Sequence, residues 1–180
     1  MNKKNVRWAV YSVIISIVLA ALFTILSNLV LEEAGYLLAW AVLLFIVISG
    51  VMSNMLGVAV VAAEEKPFHS MAAKKEKGAK EAIWLIKNAA KVSSFCSDVV
   101  GDIAGIITGT TMAILTVRMV ADFSLPSLGS HLAISSLVVG LTAGGNAMGK
   151  GIAIQKSETI VFIAAKALFQ IGRLFKKRGN

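Results

Sequence analysis

Ser94, Asp98, Asp102, Gly105 and Gly109 recur three or four residues apart in an otherwise apolar run from about Ser93 to just before Asp122. A helix places all five on one face. An ionised carboxylate near the centre of a bilayer costs roughly 2.5–3.5 kcal/mol, so it is kept there by a cation, a partner or a path for water. Asp102 lies deep in the run with no basic residue one turn away. That makes it the first candidate for a metal-binding carboxylate, and Asp98 the second. Asp98 falls in the first turns of the run, where the helix dipole and headgroup water lower its cost, and a purely structural role stays equally open. The overlaid Gly101-x-x-x-Gly105-x-x-x-Gly109 repeat permits close approach of a second backbone. The tightest helix contacts are therefore expected at Gly105 and, in the next apolar run, at Gly144.

That next run, roughly His131 to Met148, carries Gly140, Thr142, Gly144, Gly145, Asn146 and Gly149 ahead of Lys150. Such a density of glycine predicts close contact or a break in the helix. A break would free carbonyl oxygens, hard ligands suited to Mg²⁺ or Na⁺. Ser53, Asn54 and Gly57 sit near the middle of an earlier run, where hydroxyl and amide side chains serve as ligands or as hydrogen bonds between helices. The candidate metal ligands are Asp102, Asp98, Asn146, Ser53, Asn54 and Gly145. His69, His131 and the single cysteine, Cys96, stand alone. No nucleophile–base pair, phosphate-binding loop or metalloprotease helix is present, so catalysis is not expected.

The elements that position these residues follow from composition. Of 180 residues, 57% are hydrophobic and 16% charged, and the mean hydropathy is +0.77. Soluble domains carry about 25% charged residues, so this chain lacks the charge to cover a water-facing surface. An all-α membrane protein is the expected class. A span needs about 20 apolar residues to cross about 30 Å of hydrocarbon. Four runs qualify: Trp8 to Leu31, about 36–63, about 93–121 and about 131–149. The basic start, Met1 to Arg7, resembles a signal peptide, but the apolar run behind it is too long and lacks a cleavage site, so a retained first helix is expected.

Of the 18 Lys and Arg residues, all except Arg118 fall before the first run, between the second and third, or after the fourth. The short segments Glu32 to Gly35 and Asp122 to Ser130 are slightly acidic. The positive-inside rule then places both termini and the middle segment in the cytoplasm of a cell (inner) membrane protein. The formal charge of +8 is accounted for by topology and anionic lipid rather than by nucleic acid. Between the second and third runs, Pro67 suits a first helical turn. Ala79, Ile83, Ile86 and Ala90 then repeat at helical spacing, with Lys80, Lys87 and Lys91 on another face. Juxtamembrane helices are expected over about 67–91. After the fourth run, about 157–177 reads as an amphipathic helix. It starts at Ser157 and Glu158 and bears a narrow polar stripe of Thr159, Lys166, Gln170, Arg173 and Lys177.

Read together, these pieces resemble the transmembrane domain of the CNNM/CorC magnesium transporter family. The best-matched stretch runs from Gly145 to Glu158, and is similar to the family's G-E-x-x-P-K-x-x-A-x-x-x-x-E segment at Gly145, Lys150, Ala153 and Glu158. Gly78-Ala79-Lys80-Glu81-Ala82 is similar to its G-x-x-x-A juxtamembrane helix, and Gly101-Asp102 lies where the family has Gly-Asn. The resemblance covers roughly residues 36–178. It implies a three-span core, a cytoplasmic belt, a dimer and a cation site of side-chain and backbone oxygens, with Ser53 the best match to a first-span ligand. Residues 1–35 are an added helix and outer loop. The family's Glu is Asn146 here and its Pro is Gly149, while its Asn is Asp102. If Asp102 and Asn146 face one cavity, the carboxylate has crossed the site without changing its charge. No regulatory CBS pair follows Asn180, so nucleotide-linked regulation is not expected.

The resemblance implies transport of a divalent cation, Mg²⁺, with Na⁺ as a candidate coupling ion, through a site between the second, third and fourth runs. The partners it implies are the lipid bilayer and a second copy or a related transporter, in a homodimer or heterodimer. A non-transporting accessory subunit of the same fold and a purely structural membrane protein remain as alternatives.

Overall fold

The computed structural model describes residues 10, 11, 13–22, 24, 25, 35–123 and 127–177. All regular structure among them is helical: α1 Val13–Leu22, α2 Tyr36–Ala62, α3 Lys66–Ala73, α4 Ala79–Lys87, α5 Ala89–Ser94, a π-helical segment Phe95–Gly101, α6 Asp102–Phe123, α7 Ser127–Gln155 and α8 Ser157–Lys177. Three stretches are long and apolar enough to cross a membrane: Tyr36–Ala62, Ala89–Asp122 and Leu132–Gln155. The 27 residues of α2 rise about 40 Å at 1.5 Å each, more than the hydrocarbon thickness. The expected first span, Trp8 to Leu31, lies partly outside the described residues, which include its middle as α1.

The chain divides into two compact units, one of Met1–Met52 and Asp98–Ala147, the other of Ser53–Ser97 and Met148–Asn180. In the first unit, Ala39 and Leu43 of α2 pack with Met112 and Leu115 of α6, and Ile134 and Val138 of α7 border that cluster. A second cluster joins Val99, Ile103 and Ile107 to Leu19 and Ala20 of α1 and Ile46 of α2. Near one end of α2, the Tyr36 hydroxyl donates to the Asp122 carboxylate, tying the start of α2 to the last turn of α6.

In the second unit, Phe68 of α3 is fully buried among Val60, Ala82, Leu85, Val161 and Ala165. Its ring lies 6.3 Å from that of Phe162, tilted by 45°. Pro67 occupies the first turn of α3, where its missing N–H costs nothing. Between α3 and α4 the backbone reverses at Gly78, whose φ of +92° belongs to the left-handed region. A Cβ there would lie 3.1 Å from the Lys166 backbone nitrogen and 3.2 Å from its Cα. Gly78 therefore meets two demands at once, a left-handed turn and the close passage of α8. Thr159, Lys166, Gln170 and Arg173 of α8 are exposed, and Val161 and Ala165 are buried.

The glycines behave differently from the expectation drawn from their spacing. An added Cβ at Gly105, Gly109, Gly140 or Gly144 would meet no atom within 4 Å. The close approaches occur on α2 instead. A Cβ on Gly50 would lie 2.8 Å from the Ala104 Cβ, and one on Gly57 would lie 2.6 Å from Ser97 Oγ and 3.3 Å from the Ser93 carbonyl. Along α2, Ala39, Leu43, Ile46, Gly50, Ser53, Gly57 and Val60 follow alternating four- and three-residue steps, the seam of left-handed helix packing. Glycine spacing permits contact but does not command it. The approach falls where the seam of a neighbouring helix needs room.

Candidate functional site

The acidic pair sits at a change in helix type. Asp98 lies in the middle of the π-helical segment Phe95–Gly101, and Asp102 opens α6. π-Helical turns widen the backbone and shift carbonyls out of the ordinary ladder. The two halves of the surface differ in what covers them. Cys96, Val99, Ile103, Ile107, Thr111 and Leu115 are buried, whereas Asp98, Asp102, Gly105 and Gly109 are exposed. Apart from Ser94, which is half-buried, the stripe foreseen from spacing is thus one face, and it is turned away from the packed interior of the chain. No ion pair to Asp102 forms among the described residues.

A cleft of about 350 Å³ opens beside this face between α6 and α7. Gly105 and Gly109 line one side, and Ser135, Thr142 and Asn146 the other. Asp102 lies three residues before Gly105, one turn along the same exposed face. Thr108 and Thr142 also border the cleft, with their hydroxyls bonded to the carbonyls of Ala104 and Val138 in their own helices, at 2.7 and 2.8 Å. Thr142 is among the polar residues noted in its run, whereas Thr108 was not legible in the sequence, where a threonine inside an apolar run reads as easily as packing.

The glycine-rich helix does not break. α7 runs through Gly140, Gly144, Gly145 and Gly149 to Gln155 without interruption. The Gly145 carbonyl is consequently engaged in the helical ladder, and a Cβ at that position would meet only Val51, at an ordinary 3.7 Å. Leu132–Gln155 is long and apolar enough to cross a membrane, and a helix in hydrocarbon must satisfy its backbone internally, a demand that outweighs the weak helix propensity of glycine. The irregular backbone lies instead at the π-helical segment, which the sequence did not announce.

Of the six candidate ligands, Asp98, Asp102, Gly145 and Asn146 belong to the first unit and Ser53 and Asn54 to the second. Ser53 Oγ donates a 2.8 Å hydrogen bond to the Cys96 carbonyl, which gives that hydroxyl a structural role. Among the described residues no group of three or more His, Cys, Asp or Glu side chains is placed to hold a metal ion. A carboxylate pair with amide and water oxygens remains a donor set suited to Mg²⁺, which keeps several waters and takes one or two carboxylates.

Comparison with protein-family models, with curated proteins and with solved structures finds no match to this chain.

Proposed function

We propose that this chain carries a divalent cation, Mg²⁺, across a cell membrane, using Asp102 and Asp98 with Asn146 as the oxygen donors that receive it. The observation that carries this reading is the pair of exposed carboxylates on one face of a membrane-spanning helix, one turn from a cleft that Asn146 lines. A bound cation offsets the insertion cost of Asp102, and a partly hydrated Mg²⁺ needs no third protein carboxylate. The π-helical turn around Asp98 supplies a backbone that can change register, which alternating exposure of a site requires. In this reading both termini and the lysine-rich segment 64–91 are cytoplasmic.

The exposure of the acidic face in the single chain also favours a second reading, in which this face is completed by another copy or by a related transporter and the chain acts as an accessory subunit. Flux through liposomes holding the purified protein alone separates the two.

The test of the site is Asp102→Asn, nearly unchanged in volume. Mg²⁺ should raise the thermal midpoint of the wild type, because a ligand that binds only the folded state stabilises it. The variant should fold as well or better without Mg²⁺ and lose most of that rise. An equal rise in both proteins removes Asp102 from the site.

A further inference from the structure

Lys80, Trp84 and Lys87 follow one another at four- and three-residue steps along α4 and are all exposed, while Ala79, Ala82 and Leu85 on the other side of α4 are buried. Trp84 keeps 58% of its surface open although it is the largest side chain of its helix. A bulky indole exposed on a helix that already has a filled apolar face is not needed for folding. Its position supplies a reason. It lies five residues before Ala89, where the membrane-spanning stretch Ala89–Asp122 begins, close to the edge of the hydrocarbon. Indole rings favour that depth, and lysines beside them reach headgroup phosphates. The surroundings are basic, with seven lysines against four glutamates over residues 64–91. Among those glutamates, Glu65 pairs with Lys87 at 3.3 Å and with His69 at 2.8 Å, and the Lys87 side chain is still 60% exposed.

We infer that the Lys80–Trp84–Lys87 stripe of α4 is a binding surface for the headgroups of anionic phospholipids, with the Trp84 indole inserted at the glycerol level and the two lysines on the phosphates. The inference rests on the membrane reading of the chain and not on cation transport. Charge selects the occupant: each lysine near an anionic surface strengthens attachment to it about fivefold, whereas a zwitterionic leaflet has no net charge to attract the two ammonium groups.

The test uses the full chain in vesicles with chelator present, carrying Trp8→Phe and Trp40→Phe so that Trp84 is the only tryptophan, excited selectively over the tyrosines. Vesicles of phosphatidylcholine contain a minor share of phosphatidylglycerol, and the bromine quencher is placed near the glycerol of one lipid or the other. Brominated phosphatidylglycerol should quench Trp84 at least twofold more than the same share of brominated phosphatidylcholine. The excess should vanish in high salt and in Lys80→Gln/Lys87→Gln, with quenching by brominated phosphatidylcholine unchanged in that variant as proof that it is folded and inserted. Equal quenching by the two lipids overturns the inference, as does an excess that survives loss of the lysines. Quenching by neither lipid also overturns it, and places Trp84 outside the bilayer.

Discussion

The Ser53 hydroxyl donates a 2.8 Å hydrogen bond to the Cys96 carbonyl, inside the π-helical segment Phe95–Gly101. One turn further along α2, Gly57 has no side chain, and Ser97 fills the space beside it. The two α2 residues act together: one supplies a donor to a carbonyl of the widened turn, and the other makes room for it. Replacing Ser53 by Ala should lower the thermal midpoint in detergent by the equivalent of about 0.5–1.5 kcal/mol, the range for hydrogen bonds between membrane helices. Ser53→Thr, which keeps the hydroxyl, should recover most of the loss. An Ala variant as stable as wild type would show that the bond contributes nothing.

Glycine substitutions should divide by helix rather than by motif. Gly50→Leu and Gly57→Leu place a side chain where Ala104 and the Ser93 carbonyl already stand, and overpacking of this kind costs about 1–3 kcal/mol or more. A Cβ at Gly105 or Gly144 enters open space, so Gly105→Ala and Gly144→Ala should leave the stability of the single chain unchanged or slightly raised. Melting the four variants in detergent checks the division, and a reversed order would contradict the packing of α2.

Gly78→Ala should destabilise the second unit by about 1–3 kcal/mol. The new Cβ meets the Lys166 backbone, and the left-handed φ of +92° penalises any side chain. Proteolysis between α3 and α4 offers a direct readout, with faster cleavage expected in the variant. Unchanged cleavage would mean that α8 does not pass Gly78 closely in solution.

Glu65 supplies a pH dependence. Its slight burial alone would raise the carboxyl pKa, but hydrogen bonds from His69 and Lys87 and their charges outweigh that and hold it below the usual glutamate value. A pKa depressed by folding means that the carboxylate stabilises the folded state at neutral pH. That contribution begins to fade at the ordinary glutamate value and is lost as pH falls through the lower, folded one. The midpoint of the wild type should therefore drop between about pH 5 and pH 3 more than that of Glu65→Gln. Because the pair is on the surface, the difference should shrink with added salt. Parallel pH curves for the two proteins would remove the ion pairs from the account.

Periodicity and length alone determined much of this protein. The common face of Asp98, Asp102, Gly105 and Gly109, the polar stripe of α8 and the long apolar stretches at Tyr36–Ala62, Ala89–Asp122 and Leu132–Gln155 all follow from the helical repeat and the thickness of hydrocarbon, properties of the chain by itself. Tertiary structure decided what covers each face. A glycine repeat only lowers the barrier to contact, so whether Gly105 or Gly50 is approached depended on where the seam of α2 met α6. α7 is whole through its glycines, as the hydrogen-bond demand on any helix long and apolar enough to cross a membrane requires. The π-helical turn at Asp98, the Ser53 hydroxyl on its carbonyl and the left-handed turn at Gly78 each need a second segment to hold them. No reading of one segment at a time contains that information.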